Sequence, residues 1–94
     1  MIDFLDLFNK VARVARPAHH AYKPLTDMNI KFTETELDSL DMLMIGMYMA
    51  EIYGISDEVS KTLSPKTPSD MLNDINQHKT QEPESIEAAM EVIK

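Results

Sequence analysis

The sequence predicts an all-α fold, a small four-helix bundle with an additional C-terminal helix. Three observations carry this. Apolar residues make up 44% of the 94-residue chain, enough for one core, and the chain is too short to build two. Only two glycines are present, and valine, isoleucine and threonine do not gather in the alternating runs that mark strands. Apolar residues recur instead at helical spacing, in segments separated by proline, glycine and polar breaks.

The first segment, residues 2 to 15 (IDFLDLFNKVARVA), places Phe4, Phe8, Val11 and Ala15 on one stripe, widened by Leu5, Leu7 and Val14. Arg13 and Arg16 fall in its last turn, where cations suit the carbonyl end of the dipole, and Pro17 stops it. Residues 17 to 37 then read as a long loop broken by Pro17 and Pro24. Leu25, Met28, Ile30, Phe32 and Leu37 are too apolar for a solvated linker and are expected to tuck inward.

The second helix opens at Asp38. The aspartate fits the N-cap, Ser39 the first helical position, Leu40 the next, and Asp41 the third, where its carboxylate reaches back to close a capping box. The helix is expected to run to Tyr53 and to end on Gly54 in a left-handed conformation. Met42, Ile45, Met49 and Ile52 form one apolar stripe; Leu40, Leu43 and Met47 form another. A helix apolar on nearly every side buries one face and offers the other to something else. Methionine fills irregular cores, the reading favoured for Met42 and Met49, and also suits a cavity that opens or a surface that meets several partners.

Ser56 caps a short helix within residues 56 to 63, with Asp57 and Glu58 in its first turn. Thr67 caps the next, with Pro68 at its first position, Asp70 at its third, and Met71, Leu72 and Ile75 on its buried face. After the polar break 76 to 82, Pro83 is expected to start a last helix carrying Ile86, Ala89, Met90 and Ile93. Its other face holds Glu84, Glu87 and Glu91, which fits a packed helix and not a membrane anchor.

Charge and composition remove whole classes of function. A formal net charge of −7 repels nucleic acid and anionic lipid and attracts basic protein surfaces. Without cysteine there is no disulfide, no thiolate metal site and no cysteine nucleophile, which suits the cytoplasm. Asp3 and Asp6 interrupt the N-terminal apolar residues and no basic region precedes them, so no signal peptide is expected. The apolar run Met42 to Ala50 is too short to span a bilayer. His19 and His20 are adjacent and would point apart on a regular element, so no metal site is expected.

That leaves Ser39, one hydroxyl at the mouth of the most hydrophobic segment. It has three readings: an ordinary first-turn serine, a nucleophile, or an attachment point. The nucleophile reading fails for lack of parts, because Asp-Ser-Leu is not the glycine-rich elbow a serine hydrolase uses. The attachment reading has a physical basis. A phosphodiester at a helix N-terminus meets unpaired amides and the positive dipole end, worth about 0.3–1 kcal/mol.

The string ELDSLDMLMI resembles the modification site of acyl carrier proteins, whose pattern is Asp-Ser-Leu at the start of the second helix. Asp41, Glu51, Tyr53 and Ile55 are similar to that family's second helix and its exit. SPKTPSDMLNDI resembles the fourth helix, PLTDMNIKFTETEL the long first loop and residues 2 to 15 the first helix. The likeness spans roughly residues 1 to 77, an acyl-carrier-like domain, and leaves 78 to 94 as a helical extension. Three roles stay open for that extension: packing on the domain, covering an apolar patch, or binding a partner.

The resemblance implies that a phosphopantetheinyl transferase moves 4′-phosphopantetheine from coenzyme A onto Ser39. The arm's thiol would carry acyl groups as thioesters between acyl-transferring and condensing enzymes, in fatty acid, polyketide or related specialised biosynthesis. Such a carrier is not an enzyme and is expected to be a monomer. Asp38, Asp41 and Glu51, with the loop acids Glu34 and Glu36, would meet basic partner residues, and Leu40, Leu43, Met44 and Met47 would form the apolar docking patch. The chain differs from the family in two respects: residues 42 to 50 hold no acid, with Met44 where glutamate is common, and residues 78 to 94 lie beyond the family's usual end. Partners with greasier docking patches, in a specialised pathway, fit the first difference as readily as fatty acid synthesis. A peptidyl carrier is a near alternative, less favoured because aspartate precedes the serine. The competing class is an unmodified helical interaction module that uses the outer face of the second helix.

Overall fold

The structure, a computed structural model, describes residues 2–15 and 23–93. Arg16, Pro17, His19 and His20 lie outside the described residues. Five α-helices and a single 3-10 turn make up the regular structure, and no strand occurs among the described residues.

Helix α1 (Phe4–Ala15) turns most of its stripe inward: Phe4, Leu7, Phe8 and Val11 are buried, Leu5 and Ala15 are half-buried, and Val14 is exposed, while Ala12, outside the expected stripe, is buried. Its start is set by Asp3, whose Oδ1 accepts the amides of Leu5 at 3.0 Å and Asp6 at 3.3 Å. α1 packs against α2 (Ser39–Tyr53), α4 (Pro68–His78) and α5 (Ile86–Val92), and α2 also packs against α3 (Asp57–Ser60) and α5.

The long loop tucks in as expected. Leu25, Phe32 and Leu37 are buried, and Met28 and Ile30 are half-buried against the core. Three anchors hold it. The side-chain amide of Asn9 on α1 pairs with the backbone of Leu25 in both directions, donating to its carbonyl at 3.0 Å and accepting its N–H at 2.8 Å. Phe32, in the 3-10 turn Phe32–Glu34, stacks on Phe8 with ring centroids 5.5 Å apart. The amide of Phe32 reaches the carbonyl of Lys66, and the amide of Ser69 the carbonyl of Met28, each at 2.8 Å. The loop is thereby tied to α1 on one side and to the start of α4 on the other, and it leads to Asp38 at the start of α2.

The helix ends follow from the capping residues. Ser56, Thr67 and Ser85 each accept the amide three residues on, opening α3, α4 and α5, with Pro68 at the first position of α4. The last helix therefore begins at Ile86 and not at Pro83. A helix opened by Pro83 would have Glu82 as its cap, a residue type not favoured there, whereas Ser85 supplies an acceptor to the Ala88 amide at 3.1 Å.

The C-terminal extension belongs to the same core. Ala89 and Ile93 are buried within it, and Ile86 and Met90 are half-buried against it. Residues 80 and 81, between α4 and α5, close the C-terminal end of α2. Thr80 and Gln81 donate their amides to the Tyr53 carbonyl at 3.0 and 3.3 Å, the Thr80 hydroxyl donates to Gly54 at 2.7 Å, and the Gln81 side chain donates to Ile52 at 3.1 Å. Of the roles left open for this segment, packing on the domain is the one the structure displays.

Candidate functional site

The start of α2 is built by its own sequence. Asp38, in extended backbone, accepts the Asp41 amide at 2.8 Å, and the Asp41 carboxylate accepts the Asp38 amide at 3.1 Å. This reciprocal box fixes the first turn and places Ser39 at its first residue, exposed to solvent. At the other end Gly54 takes the left-handed conformation, φ 66°, and stops the helix after Tyr53.

Between these ends α2 presents two different sides. At about 100° per residue, Leu40, Leu43, Met44, Met47 and Glu51 share one flank of the helix. Leu40, Leu43 and Met47 are 65%, 58% and 53% exposed, Met44 is half-buried, and Glu51 is exposed. On the opposite side Ile45, Met49 and Ile52 are buried in the core. The stripe expected to be inward is inward except at Met42, which is half-buried. It stops short of the core because it lines a cleft.

The candidate docking residues thus converge with one exception. Asp41 is only 8% exposed and its carboxylate is engaged in the cap, so it is a structural residue and not a surface handle. Asp38, Glu34 and Glu36 are exposed around the same end of α2.

The cleft runs beside Ser39 and has a volume of about 1070 Å³. One wall is α2, through Ser39, Met42, Leu43, Gly46 and Met47; the facing wall is Leu63, Pro65, Met71 and Ile75, from the segment after α3 and from α4. The floor reaches the core residues Met49 and Ala50. Lys31, Lys61 and Lys66 line it together with Asp38, Asp57 and Asp74, so charges of the two signs balance there while the chain as a whole carries −7. A mostly apolar cleft that opens beside a free hydroxyl accommodates an apolar group and leaves the hydroxyl available for attachment.

No group of histidine and acidic residues placed to hold a metal ion occurs among the described residues, and no helix there is long and apolar enough to cross a membrane. The three histidines include only one, His78, among the described residues, and it is exposed at the end of α4.

Sequence reasoning placed the serine, its cap and the outer stripe, but not the cleft or the residues opposite Ser39. One signal for the cleft lay in the sequence: Gly46 interrupts an otherwise apolar helix interior, where glycine costs about 0.5–1 kcal/mol relative to alanine. No protein-family model, curated protein or solved structure matches the chain.

Proposed function

We propose that this protein is an acyl carrier, loaded at Ser39 with 4′-phosphopantetheine by a phosphopantetheinyl transferase that uses coenzyme A. The observation that carries the reading is a solvent-exposed serine on the first residue of a helix, opening directly onto an apolar cleft. The residues present fit the group. Ser39 is exposed, the helix start favours the phosphodiester's charge, and the reciprocal bonds of Asp38 and Asp41 define that start. The prosthetic group supplies the thiol that a chain without cysteine lacks.

The chain's own residues then divide the work. Ser39 anchors the arm. Leu40, Leu43 and Met47 give partner enzymes an apolar contact, with Met44 beside them. The exposed acids Glu34, Glu36, Asp38 and Glu51 steer basic partner surfaces toward it, an attraction that weakens with salt. The cleft shelters the apolar part of the cargo between transfers. Fatty acid, polyketide and related specialised biosynthesis all use such a shuttle.

The same exposed face supports a second reading, an unmodified interaction module whose partner covers Leu40, Leu43 and Met47. One experiment separates the two. The protein is incubated with coenzyme A and a broad-specificity transferase and weighed intact. The carrier gains the mass of one phosphopantetheine, and Ser39→Ala gains nothing. No gain with several transferases leaves the interaction module.

A further inference from the structure

Gly46 has no internal reason to be glycine. Its backbone is not left-handed, the one positive-φ residue among those described being Gly54. A methyl group built on Gly46 would meet no atom within 4 Å. Glycine weakens a helix interior relative to alanine, so the position forgoes stability without relieving strain or a close contact. What the glycine leaves open is space within the cleft it lines.

Its place in the cleft is central. Gly46 lies seven residues after Ser39, which at helical geometry is about 10.5 Å along the axis and within about 20° of the same line. A chain leaving Ser39 and lying along α2 passes over bare backbone there. Met42 and Met49 stand to one side and Leu43 and Met47 to the other, with Met71 and Ile75 across the cleft. The flanking methionines adapt their shape, whereas the backbone at Gly46 sets a fixed depth.

We propose that Gly46 is the specificity-determining residue of this cleft: its missing side chain admits an apolar cargo group broader than a straight alkyl chain, such as a ring or a branched carbon. The inference rests on the carrier reading for how the cargo arrives. The width of the cleft at Gly46 is a property of the folded chain and is testable apart from it.

The test uses wild type, Gly46→Ala and Gly46→Val. Each is treated with a transferase and either octanoyl or 4-phenylbutyryl coenzyme A, and intact mass gives the loaded fraction. Release of the acyl group from that fraction by hydroxylamine then reports how well the cleft shields the thioester. Wild type is expected to release both groups more slowly than the same thioester on free pantetheine. In Gly46→Val, release of the phenylbutyryl group should rise about tenfold or more, and that of the octanoyl group less, the scale on which a pocket feels added methyl groups. Gly46→Ala should melt no lower than wild type, because its new methyl enters empty space and helps the helix.

Equal release from all three proteins overturns the role of Gly46 and leaves the carrier reading intact. A lowered melting temperature in Gly46→Ala overturns it too, by showing that internal packing requires the glycine. If no protein gains mass, the carrier reading fails, and free 4-phenylbutyrate titrated against the unmodified proteins decides the matter. Shifts of the methionine methyl NMR signals in wild type that vanish in Gly46→Val uphold the glycine's role; absent or equal shifts end it.

Discussion

The two ends of α2 are finished differently: both have a local cap, and only one adds a cover from a distant segment. The N-terminal end is closed by neighbours in sequence, Asp38 and Asp41, and leaves Ser39 exposed in the first turn. The C-terminal end has a local stop as well, the amides of Gly54 and Ile55 turning back to the carbonyls of Glu51 and Ala50, but its last carbonyls, those of Ile52, Tyr53 and Gly54, are covered by residues from far along the chain, Thr80 and Gln81. A local cap needs no covering segment, so Ser39 beside it stays exposed. A remote cap pairs the last carbonyls and ties α2 to the C-terminal extension. The end that carries Ser39 depends on its neighbours in sequence alone.

If the remote cap is essential, deleting residues 79–94 is the severest insult. Its loss strips hydrogen bonds from α2, each worth about 1 kcal/mol net, and removes the buried Ala89 and Ile93. An isoleucine's burial alone is worth about 1.5–3 kcal/mol, so the total exceeds about 4 kcal/mol, a large share of the about 5–15 kcal/mol that holds a domain together. Urea titration followed by circular dichroism should show a shallow, early transition in place of a cooperative one. An unchanged midpoint would mean that the extension is an appendage.

Gly54→Ala attacks the same end at one atom. The left-handed backbone, φ 66°, is unfavourable for alanine, and the new methyl falls on the Thr80 hydroxyl that bonds Gly54. The expected loss is about 2 kcal/mol, read from the urea midpoint. At the opposite end Asp38→Ala should lose about 1 kcal/mol by removing the cap, while Ser39→Ala, an exposed first-turn change, stays within about 0.5 kcal/mol. A Ser39→Ala variant as damaged as Asp38→Ala would show that the serine supports the fold, and the distinction between the two ends would fall.

The same division explains what the sequence made legible. Asp38, Asp41, Gly54, Ser56, Thr67 and Pro68 act within four residues of themselves, and each stands where its chemistry indicates. Helix periodicity likewise indicated the outer stripe of α2 and most of the buried face of α1, where it missed the buried Ala12 and misplaced the exposed Val14. Features made by residues distant in sequence were not readable. The Asn9 clasp on Leu25 spans 16 positions, the Thr80 bond to Gly54 spans 26, and both use polar side chains that read as ordinary surface residues. The cleft is a further case, because Met71 and Ile75 read as one more buried stripe until α4 is placed across from α2. Pro83 misled for a related reason: a proline permits a helix start, but Ser85 two residues on had the acceptor that makes one.

The smallest effect tests the remotely capped end by pH. Tyr53 is buried at the foot of α2, and burial first, then the negative charge of Glu82 nearby, raises its phenol pKa above the ordinary 10.0. Glu82 follows directly after the capping residues and pairs with Lys79. A raised pKa means that the folded state prefers the neutral phenol. Its contribution to stability is therefore complete below pH 10 and declines as pH rises through the ordinary value and up to the raised one. Wild type should lose more stability than Tyr53→Phe between pH 9 and about 11, since only the tyrosine must ionise against burial. Glu82→Gln should recover a minor part of the difference, because the carboxylate is the lesser of the two causes. Hydrogen exchange locates the event: the amides of Thr80 and Gln81, both bonded to the Tyr53 carbonyl, should lose protection with the phenol's ionisation while the amide of Asp41 in the opposite cap does not. Equal loss at both caps would make α2 a single cooperative unit, and its two differently closed ends would then share one stability.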